Sequence, residues 1–280
     1  MNILYCGDSN IVDGLIISIL SLIKHENGNL HIYVFSMDYE DKKSVSEKSI
    51  KQLDELVKKV NKDSFVKLID VKEYFLDEIP SSNIDTMFTP YCMLRLYADL
   101  VPVMPSKIMY LDNDVVAYNS FKSFYDLDNS KYEIVGVRDF YGQYFYSKNK
   151  IKKDYLNSGV LILNLDLIRK SGSFKKARNM CQTRKMLLPD QAAINKYCKP
   201  KLIVKRKYNE QHTLKNDTVF RHFTTTFKFF PYFRTQKVKP WNIDRLHEIL
   251  KCHEFDDILT SYQQLKEEIK WKKQSLYFMP

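Results

Sequence analysis

Lys107-Ile-Met-Tyr-Leu-Asp-Asn-Asp-Val-Val-Ala-Tyr118 begins as an apolar run and continues through two acids. The apolar part is too short for a typical helix and suits a strand that is covered on both faces. Because residues two apart in a strand point to the same side, Asp112 and Asp114 are predicted to project together, with Asn113 turned away. Neighbouring carboxylates repel each other unless a cation or proton lies between them, and open α/β sheets bind ligands at this end of a strand. The stretch therefore predicts a divalent-metal site for a phosphate-bearing ligand; a polar strand end that caps a turn is the alternative.

Outward from this strand, short apolar runs alternate with segments of helical period. Strands are predicted at residues 2–7, 30–35, 65–69, 132–137 and 156–164, and helices at residues 12–23, 47–60, 91–100 and 174–186, with a further helix that opens at Pro189. Alternation of strands and helices is typical of α/β proteins, and it predicts a parallel, doubly wound sheet.

After residue 200 the pattern changes to short strands and basic loops. Strands are predicted at residues 202–204, 208–209 and 218–223, a long loop at 224–238, and C-terminal helices at 241–250 and 255–271. Residues 140–153 are aromatic and basic with no clear period, so we interpret them as a mobile flap near the site.

The bulk composition narrows the class of protein. A chain of 280 residues with 44% apolar content favours one large domain with an appendage. The five cysteines form no Cys-x-x-Cys pair, so neither a zinc ribbon nor a disulfide framework is indicated, and reduced thiols in a cytosolic protein are expected. The N-terminus enters a strand at once and no apolar stretch is long enough to span a bilayer, so neither a signal peptide nor a membrane span is expected.

The net charge of +10 and the aromatic content of 14% point to an anionic partner. Nucleic acid, a lipid surface and a phosphorylated substrate all fit this charge, and a solvated, lysine-rich surface explains it equally well.

Five separated motifs carry a more specific signal. They are Asp8 after the first strand, the Tyr-Leu-Asp-Asn-Asp-Val run, Leu156-Asn-Ser-Gly-Val, Pro189-Asp-Gln, and His222 followed by Lys239-Pro-Trp241. In this order and at these intervals they resemble glycosyltransferase family 8, and in particular its bacterial lipopolysaccharide galactosyltransferases. The resemblance implies a GT-A fold over residues 1–242, with a Rossmann-like mixed central sheet flanked by helices, and a helical C-terminal extension at residues 243–280. It also implies transfer of glucose or galactose from a UDP-sugar, with retention of configuration, to a saccharide, lipid-linked or glycoprotein acceptor.

The resemblance implies a metal held by Asp112, Asp114 and His222. Two hard oxygen donors and an imidazole favour Mn²⁺ over Mg²⁺, which prefers oxygen ligands, although Mg²⁺ stays open. The phosphate oxygens of UDP would complete the coordination.

The same resemblance implies which residues bind the nucleotide. Asp8 would accept the uracil N3 proton, with an N-cap as the alternative role, and Asn10 and Asn113 would contact the ribose. One lysine is expected to reach the diphosphate: Lys239 has the Pro-Trp context and Lys228 has the spacing from the histidine, because an aromatic insertion separates the two. We favour Lys239.

The same resemblance implies that four further residues face the donor sugar. Arg95 lies in the place of an arginine that faces sugar and phosphate, and Asn157 in a turn that lines the sugar pocket. Asp190 would hold sugar hydroxyls and Gln191 would lie near the reacting carbon; helix capping is the alternative for Asp190. Since a glutamine is a poor nucleophile, front-face substitution is favoured over a covalent intermediate.

Two other readings stay open. A nucleotidyltransferase that makes nucleotide-sugars would need a Gly-rich basic loop after the first strand, and Gly7-Asp-Ser-Asn lacks it. A non-catalytic nucleic-acid or membrane-binding protein would explain the charge, but no nucleic-acid motif is present and no nucleic-acid partner is expected. A cytoplasmic location is expected. The basic, aromatic tail at residues 270–280 suggests peripheral contact with the inner face of a membrane, and a disordered terminus is the alternative.

Overall fold

The computed structural model describes residues 1–85, 90–139, 154–228 and 234–277, with the backbone alone at 226–228, 234 and 268–277. The flap predicted at residues 140–153 lies outside the described residues, and so do the side chains of the basic tail. Among the helices that the structure describes, none is both long and apolar enough to cross a membrane.

The described segments alternate between strands and helices. The strands are β1 (Asn2–Cys6), β2 (His31–Ser36), β3 (Phe65–Asp70), β4 (Lys107–Leu111), β5 (Val115–Ala117), β6 (Ile134–Arg138), β7 (Leu156–Asn164), β8 (Lys201–Val204), β9 (Phe220–His222), β10 (Thr226–Lys228) and β11 (Arg234–Gln236). The helices are α1 (Val12–His25), α2 (Glu47–Val60), α3 (Lys72–Asp77), α4 (Lys122–Tyr125), α5 (Leu165–Ser171), α6 (Ser173–Thr183), α7 (Pro189–Tyr197), α8 (Ile243–Leu250) and α9 (Asp256–Tyr277).

Within the described residues, seven strands form the central sheet in the order β3-β2-β1-β4-β7-β6-β8. The strands from β3 to β4 run parallel, whereas β7 lies antiparallel to both β4 and β6. The prediction of a parallel sheet is therefore wrong at β7, because an apolar run shows that a strand is buried but not which way it runs. The mixed sheet that the family resemblance implied is confirmed.

Both faces of the sheet are buried, because successive residues of its strands enter different hydrophobic clusters. In β4, Met109 and Leu111 join the cluster that contains α1 and α2, and Ile108 and Tyr110 join the cluster on the opposite face. This explains why the strand is apolar without alternation, and it leaves the carboxyl end of β4 as the place where polar side chains can emerge.

Three local predictions are wrong, and two short helices were missed. Residues 91–100 were expected as an α-helix, and Pro90–Tyr97 is a 3₁₀ segment; residues 208–209 were expected as a strand, and Arg206–Tyr208 is a 3₁₀ turn. Residues 224–238 were expected as a loop, but β10 and β11 pair there as an antiparallel ribbon. The helices α3 and α5 went unpredicted, because six or seven residues are too few to establish a helical period.

The C-terminal helices contribute to the main core. Phe255, Ile258, Leu259 and Tyr262 belong to the same buried cluster as α1, and α9 packs against that helix. The side chains of the C-terminal helices that the structure describes, up to Leu265, therefore share apolar packing with the N-terminal part of the chain.

Candidate active site

The acidic motif lies in a turn rather than in a strand. β4 ends at Leu111, and the amide of Val115 donates a hydrogen bond of 3.1 Å to the carbonyl of Asp112. The amide of Asp112 donates to the carbonyl of Gly159 in the neighbouring strand β7, at 2.8 Å. The expectation that strand alternation brings Asp112 and Asp114 together is therefore wrong in its reason, although their carboxylates do come together.

His222 reaches the two acids through a short pair of strands. β9 lies antiparallel to β5, and the register places His222 opposite Val115, the residue after Asp114. Its Nε2 atom lies 3.5 Å from Asp112 Oδ2 and 3.2 Å from Asp114 Oδ1. Ligand atoms of the three side chains fall within 4.8 Å of one another. Residues more than a hundred positions apart thus meet at one point.

Asp114 is buried and only partly satisfied. Its Oδ2 accepts a hydrogen bond from Lys239 Nζ, which also donates to the carbonyl of Phe223 at 3.0 Å. Burial alone would raise the pKa of Asp114, but Lys239 and His222 outweigh it and hold that pKa below its ordinary value. Asp114 Oδ1 has no hydrogen-bond partner of acceptable geometry among the described residues, despite the nearby imidazole. A buried, ionised and unpartnered oxygen is a suitable ligand for a cation.

Gly159 provides the space in which the three side chains meet. A β-carbon at this position would lie 2.2 Å from His222 Cε1 and 2.6 Å from Asp112 Oδ2. No side chain larger than hydrogen fits there unless the site shifts, so the glycine of the Asn-Ser-Gly turn is required by close packing.

The donor set fits a divalent transition metal. Two carboxylates and one imidazole, with room for further ligands, are compatible with Mn²⁺. A second group of possible ligands within the described residues, His247, His253 and Asp256, is more exposed, and both oxygens of Asp256 already face an imidazole nitrogen, at 2.7 and 3.2 Å. Both oxygens of Asp256 accept hydrogen bonds of acceptable geometry, whereas Asp114 Oδ1 has none among the described residues.

Arg95 is buried behind the acids. Its Nη2 donates to Asp112 Oδ1 at 3.0 Å, its Nη1 donates to the carbonyl of Ser158 at 2.6 Å, and its Nε lies 3.4 Å from Asp190 Oδ2. The guanidinium also covers the ring of Tyr110, 3.8 Å from its centroid. Burial lowers the pKa of Arg95, but the larger effect of Tyr110, Asp112 and Asp190 together raises it above its ordinary value. Arg95 is therefore a permanent positive charge that orients Asp112 and Asp190.

Asp190 and Gln191 lie at the start of α7, where Pro189 occupies the first turn. Asp190 Oδ2 accepts from Ser158 Oγ at 3.2 Å, and burial raises the pKa of this carboxyl although Arg95 opposes the shift. The Gln191 side chain is held at both ends, since Oε1 accepts from the Ser158 amide at 3.0 Å and Nε2 donates to Asp139 Oδ2 at 2.9 Å.

Asp8 and Asn10 lie together at the end of β1. Asp8 accepts from the backbone amide of Asn10 at 3.0 Å and from its side-chain amide at 3.1 Å, so Asp8 is the N-cap of the 3₁₀ turn Ser9–Ile11. This is the alternative that the sequence left open, and a capping carboxylate keeps lone pairs that can accept further hydrogen bonds.

Gly14 lets helix α1 approach the acidic turn and Trp241 closely. A β-carbon there would lie 2.4 Å from the carbonyl of Asn113 and 2.9 Å from the ring of Trp241. Helix α1, the acidic turn and the Lys-Pro-Trp segment are therefore in close contact, and this places Lys239 on Asp114. The backbone of Lys228 lies in β10, and its side chain is outside what the structure describes.

The structure adds residues that the sequence did not single out. Asn209 contacts His222 and Asn157, Asp139 holds Gln191, and Tyr110 donates to Asp112 Oδ1 at 2.7 Å. Asp139 follows the last residue of β6, so the rule that ligands bind at strand ends would have found it. No pattern in the sequence marks Asn209, because its partners His222 and Asn157 are 13 and 52 residues away along the chain. Tyr110 lies only two residues before Asp112, but it stands in the apolar strand, where nothing in the sequence shows that its hydroxyl reaches the acid.

Comparison with known proteins gives a consistent result. Residues 2–244 match the model of a family described as glycosyl transferase family 8. A lipopolysaccharide 1,2-glucosyltransferase of Escherichia coli is 25% identical in an alignment of 289 positions that covers 90% of this chain and 83% of that protein.

Solved structures match along most of the chain. A galactosyltransferase, LgtC, in complex with donor and acceptor sugar analogues, has a TM-score of 0.65 at 17% identity, and the match covers 93% of this chain and 96% of the other. The glycosyltransferase GlyE of Streptococcus pneumoniae TIGR4 has a TM-score of 0.62 at 15% identity, covering 95% of this chain and 64% of the other. At these identities the structures show a shared fold, which is the GT-A fold.

Proposed function

The chain belongs to glycosyl transferase family 8 and is a glycosyltransferase, and we propose that it moves glucose or galactose from a UDP-sugar to a saccharide acceptor with the help of Mn²⁺. The observation that carries this proposal is the meeting of Asp112, Asp114 and His222 around a buried carboxylate oxygen that has no hydrogen-bond partner among the described residues. A site with these donors and an adjacent lysine is suited to a nucleotide diphosphate.

Asp112, Asp114 and His222 are the residues that would hold the metal. A bound Mn²⁺ supplies a Lewis acid for the negative charge that develops on the departing diphosphate. Lys239 adds a compact positive charge beside Asp114 and is assigned to the same diphosphate. Asp8, Asn10 and Asn113 are assigned to the uridine.

The donor sugar is assigned to the pocket formed by Arg95, Asn157, Asp190 and Gln191. Asp190 accepts hydrogen bonds from sugar hydroxyls, and Arg95 keeps its carboxylate in place. Gln191 presents a neutral amide whose two ends are already fixed by Ser158 and Asp139.

Retention of configuration is the proposed outcome, by front-face substitution. A two-step mechanism needs a carboxylate nucleophile against the sugar, and the amide of Gln191 is too weak a nucleophile for that role. The amide instead supports the positive charge on the sugar through its fixed dipole, and an oxygen of the departing diphosphate takes the proton of the acceptor hydroxyl.

The acceptor is proposed to be a cell-surface saccharide of the lipopolysaccharide type. The support is the name of the Escherichia coli relative, a lipopolysaccharide 1,2-glucosyltransferase. Both glucose and galactose stay candidates for the donor, because the relatives named above include a glucosyltransferase and a galactosyltransferase.

A cytoplasmic location with peripheral membrane contact is part of the same proposal. All five cysteines are free, as expected in a reducing compartment. The lysines and aromatic residues of 270–280 supply the contact with anionic lipid. Deletion of these residues should release the protein from anionic vesicles and leave UDP-sugar hydrolysis intact; unchanged vesicle binding would refute the contact.

The catalytic proposal is tested by a hydrolysis screen. Purified protein is incubated with UDP-glucose and with UDP-galactose, with Mn²⁺ and after chelation, and released UDP is measured. We expect release from one of the two donors only when Mn²⁺ is present, and background rates for Asp114→Asn. The control is Asp126→Asn, an acid on the protein surface that pairs with Lys122. Hydrolysis that survives chelation, or full activity in Asp114→Asn, would contradict the proposal.

A further inference from the structure

Asn209 joins two parts of the site that are otherwise separate. It is buried, and its Oδ1 lies 3.1 Å from His222 Nδ1, the ring nitrogen that faces away from the acids. Its Nδ2 donates to Asn157 Oδ1 at 2.9 Å. A single side chain thus connects an assigned metal ligand to an assigned residue of the sugar pocket.

The orientation of this chain of amides follows from one backbone group. The amide of Gly159 is a donor that cannot turn round, and it donates to Asn157 Oδ1 at 3.0 Å. Asn157 Oδ1 is therefore an acceptor, so Asn209 must present Nδ2 to it and Oδ1 to His222. An oxygen cannot donate, so His222 Nδ1 carries the proton.

The consequence reaches the metal site. A neutral imidazole with its proton on Nδ1 has a lone pair on Nε2, and Nε2 is the atom that faces Asp112 Oδ2 and Asp114 Oδ1. A cation at this point would meet a lone pair from each of the three side chains, including that of Asp114 Oδ1, which has no hydrogen-bond partner of acceptable geometry among the described residues.

The other end of this series of hydrogen-bonded amides is Gln191, the residue assigned to the reacting carbon. Asn157 Nδ2 lies 3.4 Å from Gln191 Oε1, and Gln191 Nε2 donates to Asp139. The Ser158 amide fixes Gln191 Oε1 as an acceptor in the same manner as Gly159 fixes Asn157.

We propose that Asn209 is a positioning residue, which holds His222 in the tautomer with an unprotonated Nε2 and couples this ligand through Asn157 to Gln191. The inference deepens the proposed function and rests on it for the identity of the metal. Groups that fix the second nitrogen of a ligating histidine commonly change metal affinity by about 10–100-fold.

The first test reads the tautomer without metal or donor. The ring nitrogens of ¹⁵N-labelled, metal-free protein are observed by NMR at a pH where the imidazole is neutral, with His222 assigned by the loss of its signals in His222→Gln. We expect Nδ1–H in the wild type and a shift of population towards Nε2–H in Asn209→Ala. A wild-type His222 that is protonated on Nε2, or an unchanged tautomer in Asn209→Ala, would overturn the inference.

The second test separates the two hydrogen bonds of Asn209, the one that Oδ1 accepts from His222 and the one that Nδ2 donates to Asn157. Asn209→Asp keeps an oxygen for His222 Nδ1 but removes the donor to Asn157. Titration with Mn²⁺ should show an affinity about 10–100-fold weaker in Asn209→Ala and close to wild type in Asn209→Asp, whereas turnover should fall in both. Equal loss of Mn²⁺ affinity in the two variants would contradict the claim that the hydrogen bond to His222 is the one that supports metal binding.

A matched control addresses folding. Asn83 is also fully buried, and its hydrogen bonds to described residues all go to backbone groups, the carbonyls of Cys181 and Arg184 and the amide of Met186. Asn83→Ala should lower the melting temperature without changing the tautomer of His222 or the affinity for Mn²⁺. Because the NMR and metal titrations need no sugar transfer, absence of transferase activity would refute the proposed function and leave the inference on Asn209 standing.

Discussion

Gly159 shows how much of the site depends on the absence of one side chain. Its α-carbon lies so close to His222 and Asp112 that a methyl group would overlap both. His222 has little freedom to move away, because it is buried and its ring nitrogens lie against Asn209 and the two acids.

Gly159→Ala is therefore expected to displace the metal ligands. We predict a free energy of unfolding lower by about 1–3 kcal/mol, the usual cost of overpacking, together with loss of Mn²⁺ binding in a calorimetric titration. Gly28→Ala is the control, since a β-carbon at Gly28 would meet nothing within 4 Å. Mn²⁺ binding by Gly159→Ala with wild-type affinity would show that the cluster is not the metal site.

Single residues were predictable where they form a local pattern. Asp112 and Asp114 stand in a short motif after a buried strand, and the sequence identified both, although the turn that joins them was not foreseen. Asn209 was not predictable, because its role comes from contacts with His222 and Asn157 that only the folded chain creates.

Lys239 and Lys228, the two candidates for the diphosphate contact, lie in different structural settings. Lys239 is fixed beside Asp114 by the packing of Trp241 and Asn113 against Gly14. Lys228 lies in β10, which pairs with β11 in a ribbon separate from the central sheet.

Lys239→Ala should therefore raise the dissociation constant of UDP more than Lys228→Ala. The loss of one charge-assisted contact is worth about 1.5–3 kcal/mol, which corresponds to about 10–150-fold in affinity. Isothermal titration with UDP and Mn²⁺ measures it for both variants. The opposite ranking would assign the diphosphate contact to Lys228.

Helices and strands were predictable in proportion to their length. α2 was predicted at residues 47–60 from an apolar stripe that starts at Ile50, and it spans Glu47–Val60. The segment Pro90–Tyr97 was expected as an α-helix and is a 3₁₀ helix, because eight residues are too few to distinguish a repeat of 3.6 residues from one of 3.0.

The C-terminal helices are joined to the rest of the molecule by its largest apolar cluster. Ile258 is 3% exposed and packs in the cluster that also contains residues of α1 and β1. The division into residues 1–242 and 243–280 therefore remains a prediction about sequence, while the packing joins the two parts.

Truncation of Ile258 tests whether the two parts unfold together. Ile258→Ala should lower the free energy of unfolding by about 2–5 kcal/mol, in one cooperative transition seen by both fluorescence and circular dichroism. Gln263→Ala, at an exposed position on the same helix, should change it by less than about 0.5 kcal/mol. Two separate transitions would show that the C-terminal helices form an independent unit.

The α/β class followed from the sequence because apolar runs and helical periods alternate over the first half of the chain. The direction of β7 did not, since β4 and β6 bury their apolar residues equally well against a parallel or an antiparallel neighbour. The family resemblance supplied the mixed sheet that the pattern alone could not.

The central claim is that Asp112, Asp114 and His222 share one cation that binds the nucleotide diphosphate. Anomalous scattering from a crystal grown with Mn²⁺ and UDP tests it most directly. We predict one strong manganese peak in contact with Asp114 Oδ1, His222 Nε2 and Asp112, with the UDP phosphates as the remaining ligands. UDP bound in the crystal with no manganese between these three side chains would contradict the account.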